Sequence, residues 1–185
     1  MKQKKDSGKV AILVTDGFEQ VELTQPRSAL EKDGYRTEIV SPNPRTVKAM
    51  IHAKPGRVLR VDVPLSRARP SDYDALLLPG GVMNPDSLRL EPKAVQFVQG
   101  FFRAKKPVAA ICHGPIMLIE ADVVKGRDMT SFPSIKTDLE NAGARWTDRK
   151  VVVDGTLVTS RKPADIPAFN ERMLKAFGTA RKRRG

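Results

Sequence analysis

Apolar residues follow two rhythms along the chain. Short unbroken runs occur at residues 9–15 (KVAILVT), 74–78 and 107–111, and residues 35–40 read as a further strand. Runs of this length, rich in aliphatic residues and without polar alternation, predict strands buried on both faces, as in a parallel sheet. Between them the apolar spacing turns helical. Residues 19–32 carry Val21, Leu23, Ala29 and Leu30, with Gly34 placed to end the helix. Residues 91–105 carry Ala94, Val95, Val98, Phe101 and Phe102 on one side. A short helix is predicted at 135–142, closed by Gly143, and a final helix at 164–177. Residues 41–70 are rich in proline and basic side chains, with weak alternation at 58–63, and predict loops plus a short hairpin or edge strand. A short strand is predicted at 129–132, and Asp154-Gly155 predicts a hairpin turn within 151–160. Strands alternating with helices predict an α/β domain with a mostly parallel sheet and helices on both faces. No internal repeat or linker divides the chain.

Composition narrows the function classes. The 185 residues are 40% hydrophobic and 29% charged, which suits one globular domain. The single cysteine, Cys112, excludes an internal disulfide framework. One cysteine and two histidines are too few for an ordinary structural zinc site, so no metal and no cofactor are expected. No run approaches a membrane span, and the polar start has no signal-peptide core. A cytoplasmic location is the expectation. The net charge is +12, of which three charges sit in residues 1–9 and four in 179–185. Basic flexible tails at 1–8 and 179–185 therefore flank a body at 9–178, and suit solubility or weak polyanion contact. The body shows no zinc-finger spacing, RNP-like aromatic pattern or helix-turn-helix signal.

The sharpest chemistry lies at Ala110-Ile111-Cys112-His113-Gly114, between an apolar strand and a helix entered through Pro115. Small residues two places either side of Cys112 suit a nucleophile elbow, where the chain turns too sharply for bulk. A thiol at a helix N-terminus is favoured as the thiolate, the attacking species. His113 reads equally as base or as structural histidine, because neighbouring helical residues do not face one another. His52 reads as a solvated residue of an irregular basic segment. Glu19 and Gly80-Gly81 fall, like Cys112, at the carboxyl ends of predicted strands, where open parallel sheets bind ligands. Glu19 can handle protons or serve as a first-turn helix acid. The backbone N–H groups of Gly80, Gly81 and His113 can meet a developing oxyanion. No dinucleotide fingerprint, Walker loop or H-E-x-x-H motif is present.

Together these segments resemble the PfpI-type intracellular protease and protein deglycase family, within the class I glutamine-amidotransferase-like superfamily. The matching pieces are residues 11–19, the block ending Leu78-Pro79-Gly80-Gly81, the block containing Ile111-Cys112-His113-Gly114-Pro115, and Thr159 to Asp165. The resemblance spans roughly residues 9–177 and implies a single-domain, flavodoxin-like sandwich. It implies Cys112 as nucleophile, Glu19 as the acid contacting its sulfur and His113 as base. It also implies a homodimer or larger assembly, in which an acid from a neighbouring subunit orients the histidine. Asp86 stands at that position, where the family more often has the longer glutamate.

Three functions follow as expectations. The first is a stress-protection thiol enzyme acting on small reactive carbonyls such as methylglyoxal and glyoxal, or on glycated protein side chains, with peptide hydrolysis as the alternative enzyme. The second is a redox-sensing or chaperone-like protein whose Cys112 oxidises. The third is polyanion binding through the tails.

Overall fold

The unbroken apolar runs become the middle of a seven-stranded sheet in a computed structural model that describes residues 8–182. In chain order the first elements are β1 (Lys9–Leu13), β2 (Phe18–Glu19), α1 (Gln20–Lys32), β3 (Arg36–Ser41), β4 (Thr46–Ile51), β5 (Lys54–Arg60) and β6 (Val63–Pro64). There follow β7 (Ala75–Leu78), α2 (Met83–Leu88), α3 (Pro92–Arg103), β8 (Val108–Ile111) and α4 (Ile116–Glu120). The last third contains β9 (Asp128–Met129), α5 (Lys136–Asn141), β10 (Arg145–Trp146), β11 (Val151–Asp154), β12 (Leu157–Ser160) and α6 (Ile166–Lys182). The main sheet has the order β11-β12-β8-β7-β1-β3-β6, parallel at every pairing except the β11–β12 hairpin.

The sheet is covered on both faces, and each strand splits its side chains between them. Ala11, Leu13, Leu76, Leu78, Val108 and Ala110 face a core shared with α3 and α4, built around Phe97, Phe101 and Leu118. Val10, Ile12, Ala75, Leu77, Ala109 and Ile111 face the opposite core, shared with α1 and α6, where Leu23, Leu30, Phe169 and Phe177 pack. A strand that feeds two cores needs apolar residues at every position, which explains the unbroken runs. The doubly covered α/β architecture is the one expected from sequence.

Several local expectations change. The basic segment at 41–70 does form the expected hairpin, β4–β5, but over Thr46–Arg60 rather than a short stretch near 58–63, and its β4 also pairs with β2. Only Val47 and Ala49 of β4 are buried, and β5 has no buried residue, so the hairpin carries little hydrophobic rhythm. Helix α2 was not expected, being six residues long with Pro85 inside. The helix after Cys112 has five residues and begins at Ile116. The expected strand at 129–132 shrinks to β9, paired in parallel with β10. Helix α6 continues to Lys182, past residue 177 and into the expected C-terminal tail. The rest of the two basic tails, residues 1–7 and 183–185, lies outside the described residues.

Candidate active site

Parallel pairing brings the carboxyl ends of β7, β8 and β12 together, with Leu78 beside Ala110 and Ile111 beside Ser160. The chain leaves β8 at Cys112, whose backbone takes the left-handed conformation, φ 62°. A side chain other than glycine reaches this region only when its surroundings impose it. Here the Cys112 N–H donates to the Ser160 carbonyl at 3.0 Å, and the Phe132 N–H donates to the Cys112 carbonyl at 2.9 Å. The close turn also depends on Gly114, where a Cβ would collide with the Leu78 carbonyl and sit 2.9 Å from the Ile111 carbonyl.

Cys112 opens into a cleft of about 390 Å³ lined by Glu19, Glu22, His52, His113 and Phe132, among others. The carboxyl group that meets the sulfur is that of Glu22 in the first turn of α1, not that of Glu19. Glu22 is wholly buried, and its Oε2 accepts the Gly80 N–H at 2.9 Å. Its Oε1 is buried without a nitrogen or oxygen partner. Burial pushes the Glu22 carboxyl up from 4.5 to about 8, against the lowering effect of its contacts with Cys112 and Gly80. The acid therefore keeps its proton at neutral pH and can donate it toward sulfur.

Burial also pushes the Cys112 thiol up, and the charge and hydrogen bonding of the Glu22 carboxylate push in the same direction. The backbone N–H groups of His113 and Gly81 act against this by pointing at the sulfur. The simple expectation of a thiolate made stable by a helix N-terminus is corrected here: α4 is short, and desolvation beside an acid prevails. Two adjacent buried acids cannot both ionise cheaply, so both hold their protons at neutral pH and the loss of the first, from Glu22, makes the loss of the second harder.

His113 does face Cys112, despite being its neighbour in sequence. The turn after β8 is not helical, and it brings His113 Nδ1 to 3.3 Å from Cys112 Sγ. The ring stacks on Phe132, with centroids 4.9 Å apart, and its Nε2 lies 3.0 Å from Ser134 Oγ. Burial lowers the His113 pKa, which keeps the imidazole neutral and able to take a proton.

Other predicted residues take different places. Glu19 lies in the same cleft, but its Oε2 accepts the His52 N–H at 2.9 Å from the tip of the β4–β5 hairpin. His52, expected to be merely solvated, thus helps form the cleft, with Nδ1 4.0 Å from the same oxygen. Of the three proposed oxyanion donors, Gly80 is occupied by Glu22, Gly81 is shared between Glu22 and the sulfur, and His113 is directed at the sulfur. Asp86 is exposed on α2 and does not line the cleft. Among the described residues, no group of three or more His, Cys, Asp or Glu side chains is arranged to hold a metal ion. None of the described helices is long and apolar enough to cross a membrane.

Glu22 and Ser134 are the site residues that sequence reasoning missed. The signal for Glu22 was its position: with Pro26 and Leu30 it forms an i, i+4, i+8 row on the buried side of α1. Ser134 carried no comparable signal.

The comparisons with known proteins agree with this fold. A protein of Bacillus subtilis named "Putative cysteine protease YraA" is 45% identical over 168 residues, covering 91% of this chain and 97% of that one. Protein/nucleic acid deglycase 2 of Escherichia coli is 43% identical, covering 93% and 99% of the two chains. Deglycase PH1704 of Pyrococcus horikoshii is also 43% identical, covering 90% and 98%. The DJ-1/ThiJ/PfpI-like part of a two-domain protein from Anabaena variabilis superposes with a TM-score of 0.86 at 37% identity, over 92% of this chain and 48% of that one. DJ-1 from Schizosaccharomyces pombe shares the fold, with a TM-score of 0.80 at 23% identity over 94% and 97% of the two chains. The model of the DJ-1/PfpI family matches residues 8–176, nearly the whole described chain, and the chain belongs to that family.

Proposed function

We propose that this chain is a thiol enzyme acting on small reactive carbonyls, methylglyoxal and glyoxal, or on the early adducts they form with protein side chains. The observation that carries the reading is a single cysteine at the floor of a small cleft, flanked by a neutral histidine and a protonated glutamic acid. The names of the Escherichia coli and Pyrococcus horikoshii relatives support it.

With methylglyoxal, His113 Nδ1 takes the thiol proton while sulfur adds to the aldehyde carbon. A C–S bond forms, the carbonyl π pair moves to oxygen, and that oxygen receives a proton to give a hemithioacetal. The N–H groups of Gly81 and His113, which act on the sulfur, are the backbone donors assigned to the charge that develops. Moving the proton of the carbon now bonded to sulfur to the neighbouring carbonyl carbon, and the hemithioacetal hydroxyl proton to that carbonyl's oxygen, gives a thioester of a 2-hydroxy acid. Water then cleaves the C–S bond and releases lactate and the thiol. Glu22, placed against the sulfur, hydrogen-bonds it when it departs.

The decisive assay is lactate formation from methylglyoxal without glutathione. Wild type is expected to turn over, and Cys112→Ala is expected to lose turnover while remaining folded. Equal rates in both would overturn the reading. Cysteine peptidase activity is the alternative, supported by the Bacillus subtilis relative's name. Cleavage of peptides that needs Cys112, without lactate formation, would favour it. We further propose self-association across the cleft rim, where Val82 and Met83 are 63% and 58% exposed beside Asp86.

A further inference from the structure

Helix α6 runs on past residue 176, where the match to the family ends. In this extension Thr179 and Ala180 form part of one wall of a groove of about 380 Å³. Arg172, Lys175 and Ala176 continue that wall, and Val153, Gly155 and Thr156 of the β11–β12 hairpin form the other. The groove lies at the opposite end of the sheet from Cys112. The Thr156 carbonyl accepts the N–H of Val108, the first residue of β8, whereas Cys112 follows the last.

Charge sets this groove apart. Arg172 and Lys175 are exposed and three residues apart, so they project from one side of α6 on successive turns. Neither side chain has a hydrogen bond or ion pair among the described residues. No acid lines the groove, and Asp154 beside it accepts the Asp128 N–H at 3.0 Å. From residue 172 to 185 the sequence holds Arg172, Lys175, Arg181, Lys182, Arg183 and Arg184 and no acid, which is six of the net twelve charges. Cations in the last turn of a helix complement its dipole, but that effect falls off within the turn, and Arg172 and Lys175 stand well before it.

The chemistry that fits is a row of fixed anions. From Arg172 to Lys182 the helix rises about 15 Å, a length over which one strand of a duplex presents about four phosphates. A membrane surface does not fit. A helix that lies in a bilayer buries an apolar face there, and that face of α6, with Phe169, Met173 and Phe177, is already buried in the core. An acidic peptide carries its carboxylates on flexible, unevenly spaced side chains, whereas a phosphodiester backbone holds its charges at an even spacing that a straight helix can follow. The apolar floor at Val153 and Ala176 suits the sugar edges between phosphates. We propose that this groove docks the phosphate backbone of double-stranded DNA without reading its sequence, and that Arg172 and Lys175 are its phosphate contacts. The docking is independent of the chemistry at Cys112.

The test is the anisotropy of a fluorescent DNA duplex titrated with the full chain at several salt concentrations. The logarithm of the binding constant should fall linearly with the logarithm of salt, and two duplexes of unrelated sequence should give one line. Each phosphate contact contributes about 0.9 to that slope, so Arg172→Gln with Lys175→Gln should lower its magnitude by about 1.8. Lys93→Gln with Arg103→Gln removes the same charge from exposed positions of α3, on the other face of the sheet, and should leave the slope nearly unchanged. Urea unfolding should match wild type in both double variants. A wild-type slope retained by the α6 pair, or an equal loss from the α3 pair, would overturn the groove as the docking surface. A loss confined to removal of residues 181–185 would do the same, by assigning binding to the chain end alone. Polyglutamate that competes as well as unlabelled duplex at equal charge would overturn DNA as the partner, and so would sedimentation with phosphatidylserine vesicles that duplex does not prevent.

Discussion

At the scale of single residues, the site depends on how closely Gly80 lets three groups approach. A Cβ at Gly80 would stand 2.7 Å from Cys112 Cβ and 2.8 Å from the Ile111 carbonyl, and would overlap Glu22 Oε2. The first two neighbours cannot retreat, since one belongs to the elbow and the other to the backbone of β8. Gly80→Ala should therefore cost about 1–3 kcal/mol of stability, as overpacking does, and should slow Cys112 alkylation by displacing Glu22. Gly178→Ala is the control: a Cβ there meets nothing within 4 Å, and a helical glycine replaced by alanine gains about 0.5–1 kcal/mol. Urea unfolding of both variants checks the contrast, and equal stability would remove Gly80 from the account. Proximity in sequence misled at this scale. Glu19 adjoins the first strand, whereas Glu22 reaches the sulfur because one helical turn rotates it inward. An acid on the apolar row of a helix was the visible clue, and it shows only once the helical period is laid over the charges.

At the scale of elements, β1, β7 and β8 were legible because burial on two faces removes polar positions from a strand. The β4–β5 hairpin was legible only as a short hairpin or edge strand without its bounds, because its residues are mostly exposed and its pairing shifts between Lys48 and Met50. It is attached at separate points: β4 pairs with β2, the Lys48 N–H donates to Asp16 Oδ1 and the Arg57 N–H to Gln20 Oε1, each at 2.8 Å, and the tip at His52 is bound to Glu19. Glu19 thus acts on the cleft through the hairpin that forms part of its wall. Glu19→Ala should release the tip and raise amide exchange at His52, with little change in global unfolding, because a bond to a charged acceptor contributes only about 1.5–3 kcal/mol. Glu19→Gln, which keeps an acceptor oxygen, should retain part of the protection. Unchanged exchange at His52 in Glu19→Ala would show that pairing with β2 and the bonds to Asp16, Gly17 and Gln20 suffice to fix the hairpin.

At the scale of the whole molecule, the buried acid beside Cys112 ties global stability to pH. In the unfolded chain Glu22 releases its proton near its ordinary value of 4.5, and in the folded chain it holds it to about 8. Between these values the folded state binds more protons at this group, so stability falls as pH rises. Below 4.5 both states are protonated and the dependence vanishes. Above about 8 both are ionised, and the cost of burying the charge is fully expressed, on the order of several kcal/mol for a shift of this size. His113 has the opposite slope, because burial lowers its pKa and the unfolded chain binds more protons as pH drops below 6.5. Surface carboxylates add slopes of their own. Glu22→Gln keeps the shape of the side chain and removes only its titration, so the stability difference between wild type and variant cancels the rest. Urea unfolding measured from pH 4 to 9 should give a difference that is level at the acid end and then moves steadily against wild type up to about pH 8. A level difference throughout would mean that Glu22 is ionised in the folded protein at neutral pH. The acid beside Cys112 would then be a carboxylate that raises the thiol, rather than a proton donor that serves it.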